Sequence, residues 1–165
     1  MNGVNLTSGN YVATLSVSYA GDQNSGNDQV TTNFVVKNPL TGNHTVGTSQ
    51  EYNTLSQAIT DLKDVTVGGP VTLLVQGDVT ESSPITISGI SGLNTTNSLT
   101  IKAGSISTIN ISGTLTEPWG IRIRGVEGVT IDGSITGKKG SDRSLTLNVT
   151  GVNGKYGVLV DSSSR

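Results

Sequence analysis

The chain has 165 residues, with ten basic and twelve acidic side chains, no cysteine and 22 glycines. With no basic cluster larger than Lys138-Lys139, this balance excludes nucleic acid and anionic membrane as main partners; the missing thiols exclude disulfides and cysteine-based metal or redox chemistry. No run approaches the roughly 18 apolar residues of a membrane span, and only 4% of residues are aromatic, so a core must be built from Val, Ile and Leu in thin layers.

The amino-terminal segment, residues 1–37, reads as a β-hairpin. Residues 10–20 and 29–37 carry strand-type residues, and the turn-rich stretch 21–28 separates them. Asp22-Gln23-Asn24-Ser25-Gly26-Asn27-Asp28 places oxygen side chains at positions 1, 3 and 7 of a calcium-type loop. Its glycine comes one place early, and Asn33 stands where a bidentate Glu is required, so a loop of Asx turns is the preferred reading and no metal is expected. A lone hairpin is marginal in water and needs a sheet to join. The segment resembles the last two strands of an immunoglobulin-like module of bacterial surface proteins, in which a Gly-Asp-x-Asn…Asn-Asp loop links the final strands.

Residues 38–45 read as a linker from their Pro, Gly and Asn content, with His44 in a structural role and no metal partners nearby. Residues 46–70 form a capping segment with one helix, 54–63. Thr54-Leu55-Ser56-Gln57 fits a capping box, and Leu55, Ala58, Ile59 and Leu62 make an apolar stripe. The stripe is expected to cover the open first layer of the strand-rich region beyond residue 70, whose unpaired edge would otherwise template aggregation.

Residues 71–165 carry a ladder of aliphatic triplets: Ile85-Thr86-Ile87, Leu99-Thr100-Ile101, Ile109-Asn110-Ile111, Ile121-Arg122-Ile123 and Val129-Thr130-Ile131. Each has the period-2 pattern of a strand with one buried face. Ile87, Ile109 and Ile131 fall 22 residues apart, as do Val79, Ile101, Ile123 and Leu145. This spacing predicts a β-solenoid with about 22 residues per coil and three to four coils. Asn38-Pro39-Leu40-Thr41-Gly42, Tyr52 to Ile59, Gly69 to Leu73 and Leu99-Thr100-Ile101, in that order, resemble the amino-terminal region of pectin-lyase-like domains of large secreted surface proteins of Bacteroidota-type bacteria. Gly128 to Gly133 and Tyr156 to Val160 resemble later coils of the same family. The resemblance implies an all-β, right-handed parallel β-helix with an amino-terminal capping helix, preceded here by the hairpin.

Two features bear on localisation and partners. Met1 to Asn5 shows neither a basic region nor an apolar one of a secretory signal, yet the Thr-, Ser-, Asn- and Gly-rich composition is similar to that of exported bacterial surface proteins. The chain is therefore expected to be a piece of a longer exported protein, extracellular or at the cell surface. Because it stops soon after the apolar strand around Val158, a bare last layer is expected, covered by the rest of the parent protein or by a second copy.

Candidate sites are few. Asp132 stands where β-helix enzymes carry acids, but 22 residues away on either side lie Asn110 and Gly154, so a turn ladder is preferred to a catalytic acid. Trp119, Arg122 and Arg124 form the candidate glycan site: ring stacking plus charge suits an acidic sugar, whereas the bland alternative is two solvated charges beside a Trp packed on the Pro118 turn. Lys138 to Arg143 reads as a charged surface loop. No catalytic residue and no cofactor is assigned. The expected function is a non-catalytic structural or adhesive segment of a bacterial surface protein with polysaccharide as a candidate ligand. The alternative is the amino-terminal part of a polysaccharide lyase or glycoside hydrolase whose catalytic coils lie elsewhere, since this fold hosts both classes.

Overall fold

Period-2 alternation governs nearly every element of this protein. The computed structural model describes residues 4–21, 23–112, 117–136, 142–150 and 156–162, and the chain divides into two units, Met1–Asn38 and Pro39–Arg165.

In the first unit, β1 (Gly9–Ser16) and β2 (Gln29–Val36) pair antiparallel over all eight residues. Residues directly opposite share a face, so Tyr11, Ala13, Leu15, Val30 and Phe34 line one side and Asn10, Val12, Thr14, Ser16, Gln29, Thr31, Asn33 and Val35 the other. Tyr11 stacks on Phe34 with ring centroids 5.7 Å apart. The connecting loop holds a single 3-10 turn, Ser25–Asn27, and Asn24 Oδ1 accepts the Gly26 N–H at 3.3 Å. That is the Asx geometry expected of the loop; Asp22, first position of the calcium-type pattern, lies outside the described residues.

The second unit is mostly β, with three parallel sheets and, among the described residues, one α-helix. The expected linker 38–45 is largely a strand. Here β3 (Leu40–Val46) pairs in parallel with β4 (Val67–Val75), with a register shift between Leu40 and Gly42. Its sequence, Leu-Thr-Gly-Asn-His-Thr-Val, lacks strand-type alternation, and the hydrogen bonds of β4 hold it in place instead. Next come α1 (Leu55–Asp64), then β5 (Val79–Glu81), β6 (Ile85–Ile87), β7 (Leu99–Ala103), β8 (Ser107–Ser112), β9 (Trp119–Arg124), β10 (Val129–Asp132), β11 (Leu145–Thr150) and β12 (Tyr156–Asp161). The sheet orders are β10-β7-β4-β3, β11-β8-β5 and β12-β9-β6. From β4 onward each strand pairs with the third strand after it.

This topology corrects the 22-residue register. Val71 pairs with Leu99, 28 residues on; Val79 pairs with Ile109, 30 on; and Ile85 pairs with Ile121, 36 on. Ile101 lies beside Leu73 and Ile131, not beside Val79 and Ile123. A step of 22 residues spans two strands and two turns, so it links β5 to β7 and β7 to β9, which belong to different sheets. Strands of all three sheets, β6 to β11 among them, share an apolar-polar-apolar triplet, and the repeat was therefore visible at the wrong interval.

Inward residues of the three sheets meet in one aliphatic core. Leu73, Val75, Ile87, Leu99, Ile101, Ile109, Ile111 and Ile121 are among its buried members, joined by Leu55, Ala58, Ile59 and Leu62 of the helix. At about 1.5–3 kcal/mol for each large side chain buried, this cluster is the main stabilising term. Two backbone contacts fix the turns to neighbouring strands. Gly128, at φ 72°, lies so close to the next turn that a Cβ would stand 2.0 Å from the Asn94 carbonyl oxygen, and at Gly92, φ 80°, a Cβ would stand 2.4 Å from the Val67 oxygen.

The helix lies against β3, β5 and β6. Its capping box forms: the Gln57 N–H donates to Thr54 Oγ1 (3.2 Å), and Gln57 Oε1 accepts the Asn53 N–H (3.0 Å), one residue earlier than a reciprocal box requires. A further acceptor comes from across the fold. Glu81, only 2% exposed, occupies an inward position of β5; its Oε1 accepts the Leu55 N–H (2.6 Å) and the Ser56 N–H (3.4 Å), and its Oε2 accepts the Ser56 hydroxyl (2.5 Å). At the other end of the helix Lys63 Nζ donates to the Thr86 carbonyl oxygen on β6 (3.0 Å). A carboxylate at the amino terminus and an ammonium at the carboxyl terminus both suit the helix dipole.

Two pairs of substitutions separate these effects. Gly128→Ala combines a left-handed φ with a clash, and the urea midpoint should report a loss of at least ~2 kcal/mol; Gly77→Ala, at φ 78° with open space around it, should lose only ~1 kcal/mol. Glu81→Ala strands buried N–H donors of α1 and should cost about 2–4 kcal/mol by the same measurement, while Lys63→Ala on the exposed side should cost under ~1 kcal/mol.

Candidate functional site

Because neighbours two apart on a strand share a face, Arg122 and Arg124 of β9 both point away from the core formed by Ile121 and Ile123. The structure brings Trp119 and Arg122 together, with the guanidinium carbon 4.5 Å from the centroid of the indole ring. It also supplies a partner that lies 39 residues away in the chain. Arg122 Nε donates to both carboxylate oxygens of Asp161 on β12 at 3.1 Å, and Nη2 donates to Oδ2 as well.

The charges reinforce one another. The hydrogen-bonded Asp161 carboxylate raises the Arg122 pKa above its ordinary value, and Arg122, with a smaller contribution from Arg124, holds Asp161 below the usual carboxylate range. Arg124 sits in register with Asp161 and is exposed. Arg122 thus lies between a ring and a carboxylate, and Arg124 carries the charge that faces solvent. The Trp119 Nε1–H is buried without a hydrogen-bond partner among the described residues.

Asp132 has a different neighbour from the one its spacing predicts. In register beside it is Lys102, with Nζ 4.0 Å from Oδ2, and not Asn110, which belongs to another sheet; Gly154 lies outside the described residues. Oδ1 accepts the Ser134 N–H (2.9 Å) and hydroxyl (2.7 Å), and these bonds lower the Asp132 pKa. Asp142, from the charged loop whose residues 138–141 are not described, organises the adjoining turn. It accepts the Ile135 and Thr136 N–H groups (both 2.9 Å), the Thr136 hydroxyl (3.0 Å) and the Ser144 hydroxyl. These bonds, the one from Ser144 above all, lower its pKa to about 2. Both carboxylates therefore hold turns by accepting protein donors.

His44 stands on β3, with Nδ1 2.8 Å from Glu51 Oε1 and Nε2 3.1 Å from the Thr41 carbonyl oxygen. No group of three His, Cys, Asp or Glu able to hold a metal ion occurs among the described residues. The functional partner that sequence reasoning missed is Asp161. Parity places it outward on its strand, but only the β9–β12 register joins it to Arg122.

No family model matches this chain, and no curated protein or solved structure matches it significantly.

The depressed Asp142 pKa sets a pH dependence. A carboxyl group with a lower pKa folded than unfolded adds stability above its unfolded pKa of about 4, which is lost as pH falls through the folded pKa of about 2. The thermal midpoint of the native chain should fall between pH 5 and pH 2, and Asp142→Asn should flatten part of that fall.

Proposed function

We propose that this chain is a non-catalytic structural and adhesive segment of a bacterial cell-surface or secreted protein, built on a right-handed parallel β-helix over residues 39–162 and preceded by the last two strands of an immunoglobulin-like module. The observation that carries the reading is the i-to-i+3 strand pairing: β4, β5 and β6 stack under β7, β8 and β9, and these under β10, β11 and β12, around a shared core. Three-sided coils of 28 to 38 residues meet that pairing, and the right-handed sense follows the rule for parallel crossovers. The outward acids support a scaffold role, because Asp132, Asp142 and Asp161 each accept bonds from neighbouring protein groups.

A polysaccharide contact is assigned to Trp119, Arg122 and Arg124. Arg124 supplies exposed charge for an acidic sugar, and the Trp119–Arg122 stack supplies a rigid flat surface beside it. The test is a glycan array paired with a polyuronate-cleavage assay. Weak retention of uronate-containing glycans, reduced about fivefold or more in Arg124→Ala, is the expected result, with no product released. Turnover that disappears in Asp132→Asn would overturn the non-catalytic reading in favour of a polysaccharide lyase or hydrolase.

A further inference from the structure

A groove of about 130 Å³ lies between α1 and β6, lined by Ser56, Thr60 and Lys63 of the helix and by Pro84, Ile85 and Thr86 across from them. Helical spacing explains one wall. Ser56, Thr60 and Lys63 follow at intervals of four and three residues, so they share a strip of the helix beside its buried stripe. Alternation explains the other wall, because Thr86 faces outward between the buried Ile85 and Ile87. The acids Asp61 and Asp64 line a different depression on the helix, not this groove.

The polar groups of the groove have bonding capacity left. Lys63 is exposed, and its ammonium directs one of three donors to the Thr86 carbonyl oxygen at 3.0 Å. The Ser56 hydroxyl donates to Glu81 and the Thr60 hydroxyl to the Ser56 carbonyl oxygen, which leaves both hydroxyl oxygens able to accept. The Thr86 hydroxyl has no partner among the described residues. Pro84 adds an apolar surface. A pyranose ring has the matching form, with C–H groups on its faces and hydroxyls around its rim, and a uronate adds a carboxylate for the ammonium.

Register joins this groove to the surface already described. Thr86 pairs with Arg122, so the groove opens onto the Trp119–Arg122 stack. Asp161 already neutralises Arg122, which leaves Lys63 and Arg124 to meet anions. Arg124 stands two residues, ~6.8 Å, further along β9, and Lys63 reaches Thr86 across a strand spacing of ~4.8 Å, so the two charges lie roughly 10 Å apart. One uronate cannot span that distance; a short chain of them can. We infer that the groove is a second subsite of the proposed polysaccharide contact, on which this inference rests. Two carboxylates of one polyuronate chain meet Lys63 and Arg124, and the hydroxyls of the sugar in the groove bond to Ser56, Thr60 and Thr86.

Titration calorimetry of the whole chain with galacturonate and with tetragalacturonate tests the second subsite. The tetramer should bind about tenfold or more tightly than the single sugar, because its second carboxylate binds from the same molecule. Lys63→Gln keeps a donor for the Thr86 carbonyl oxygen but removes the charge, and should weaken the tetramer about fivefold. Thr86→Val keeps the shape and the strand preference and should weaken it about threefold. Equal affinity for single sugar and tetramer, unchanged tetramer affinity in both variants, or dextran sulfate bound as tightly as the tetramer would each overturn the inference. Loss in Arg124→Ala without loss in Lys63→Gln overturns the groove and leaves the polysaccharide contact standing, whereas no binding of either sugar by the native chain overturns both.

Discussion

The docking of one short helix onto two strand edges is the constraint on which the β-rich unit depends. Every parallel sheet has two outer strands with unsatisfied backbone groups, and here α1 closes one side of β5 and β6. Burial of Leu55, Ala58, Ile59 and Leu62 supplies the attraction. Glu81 and Lys63 supply the position, because a carboxylate on β5 grips the first helical N–H groups and an ammonium from the last turn reaches a carbonyl on β6. A carboxylate buried without a cation is expensive unless donors surround it. Glu81 has three such contacts, all from the helix, so the same group that makes the inside of β5 polar makes it specific for this cap.

Polar atoms elsewhere are used between strands of successive layers in the same way. Ser107, a buried hydroxyl, donates to the Val75 carbonyl and accepts the Gly77 N–H, and the Thr108 N–H reaches Asp78 Oδ1. On the outside Asn148 donates to Asn110, and Arg122 holds Asp161. Each bond crosses from one layer to the next. Sheets thus supply the repeating ladder while turns and outer faces supply position-specific links. Asp161, which the sequence does not single out, lies among these links, whereas Asp132 and Asp142 accept bonds within their own turns.

Much of the architecture was legible because it rests on local pattern. The helix, its stripe and its cap follow from Thr54, Gln57 and four spaced apolar residues, and its observed range Leu55–Asp64 differs from expectation by one residue. Strand faces follow from alternation. Register did not, because similar triplets recur in all three parallel sheets and nothing local marks which two will pair. β3 was hidden for the opposite reason: Gly42, Asn43 and His44 give no strand signal, and pairing with β4 decides the matter. At the candidate site alternation alone puts Trp119 and Arg122 on opposite faces of β9, and only the structure stacks them, while Asp161 and Glu81 act across 39 and 26 residues. An acid at an inward strand position, as in Val79-Thr80-Glu81, is the one sequence sign that a buried donor set must exist.

The placement of the single tryptophan has a practical consequence. Trp119 begins β9, beneath the guanidinium of Arg122, in the sheet that joins β6, β9 and β12. An indole in that setting changes its emission when the cation leaves or water arrives. The protein therefore carries its own optical reporter, sensitive to β12 parting from β9. The hairpin contains no tryptophan.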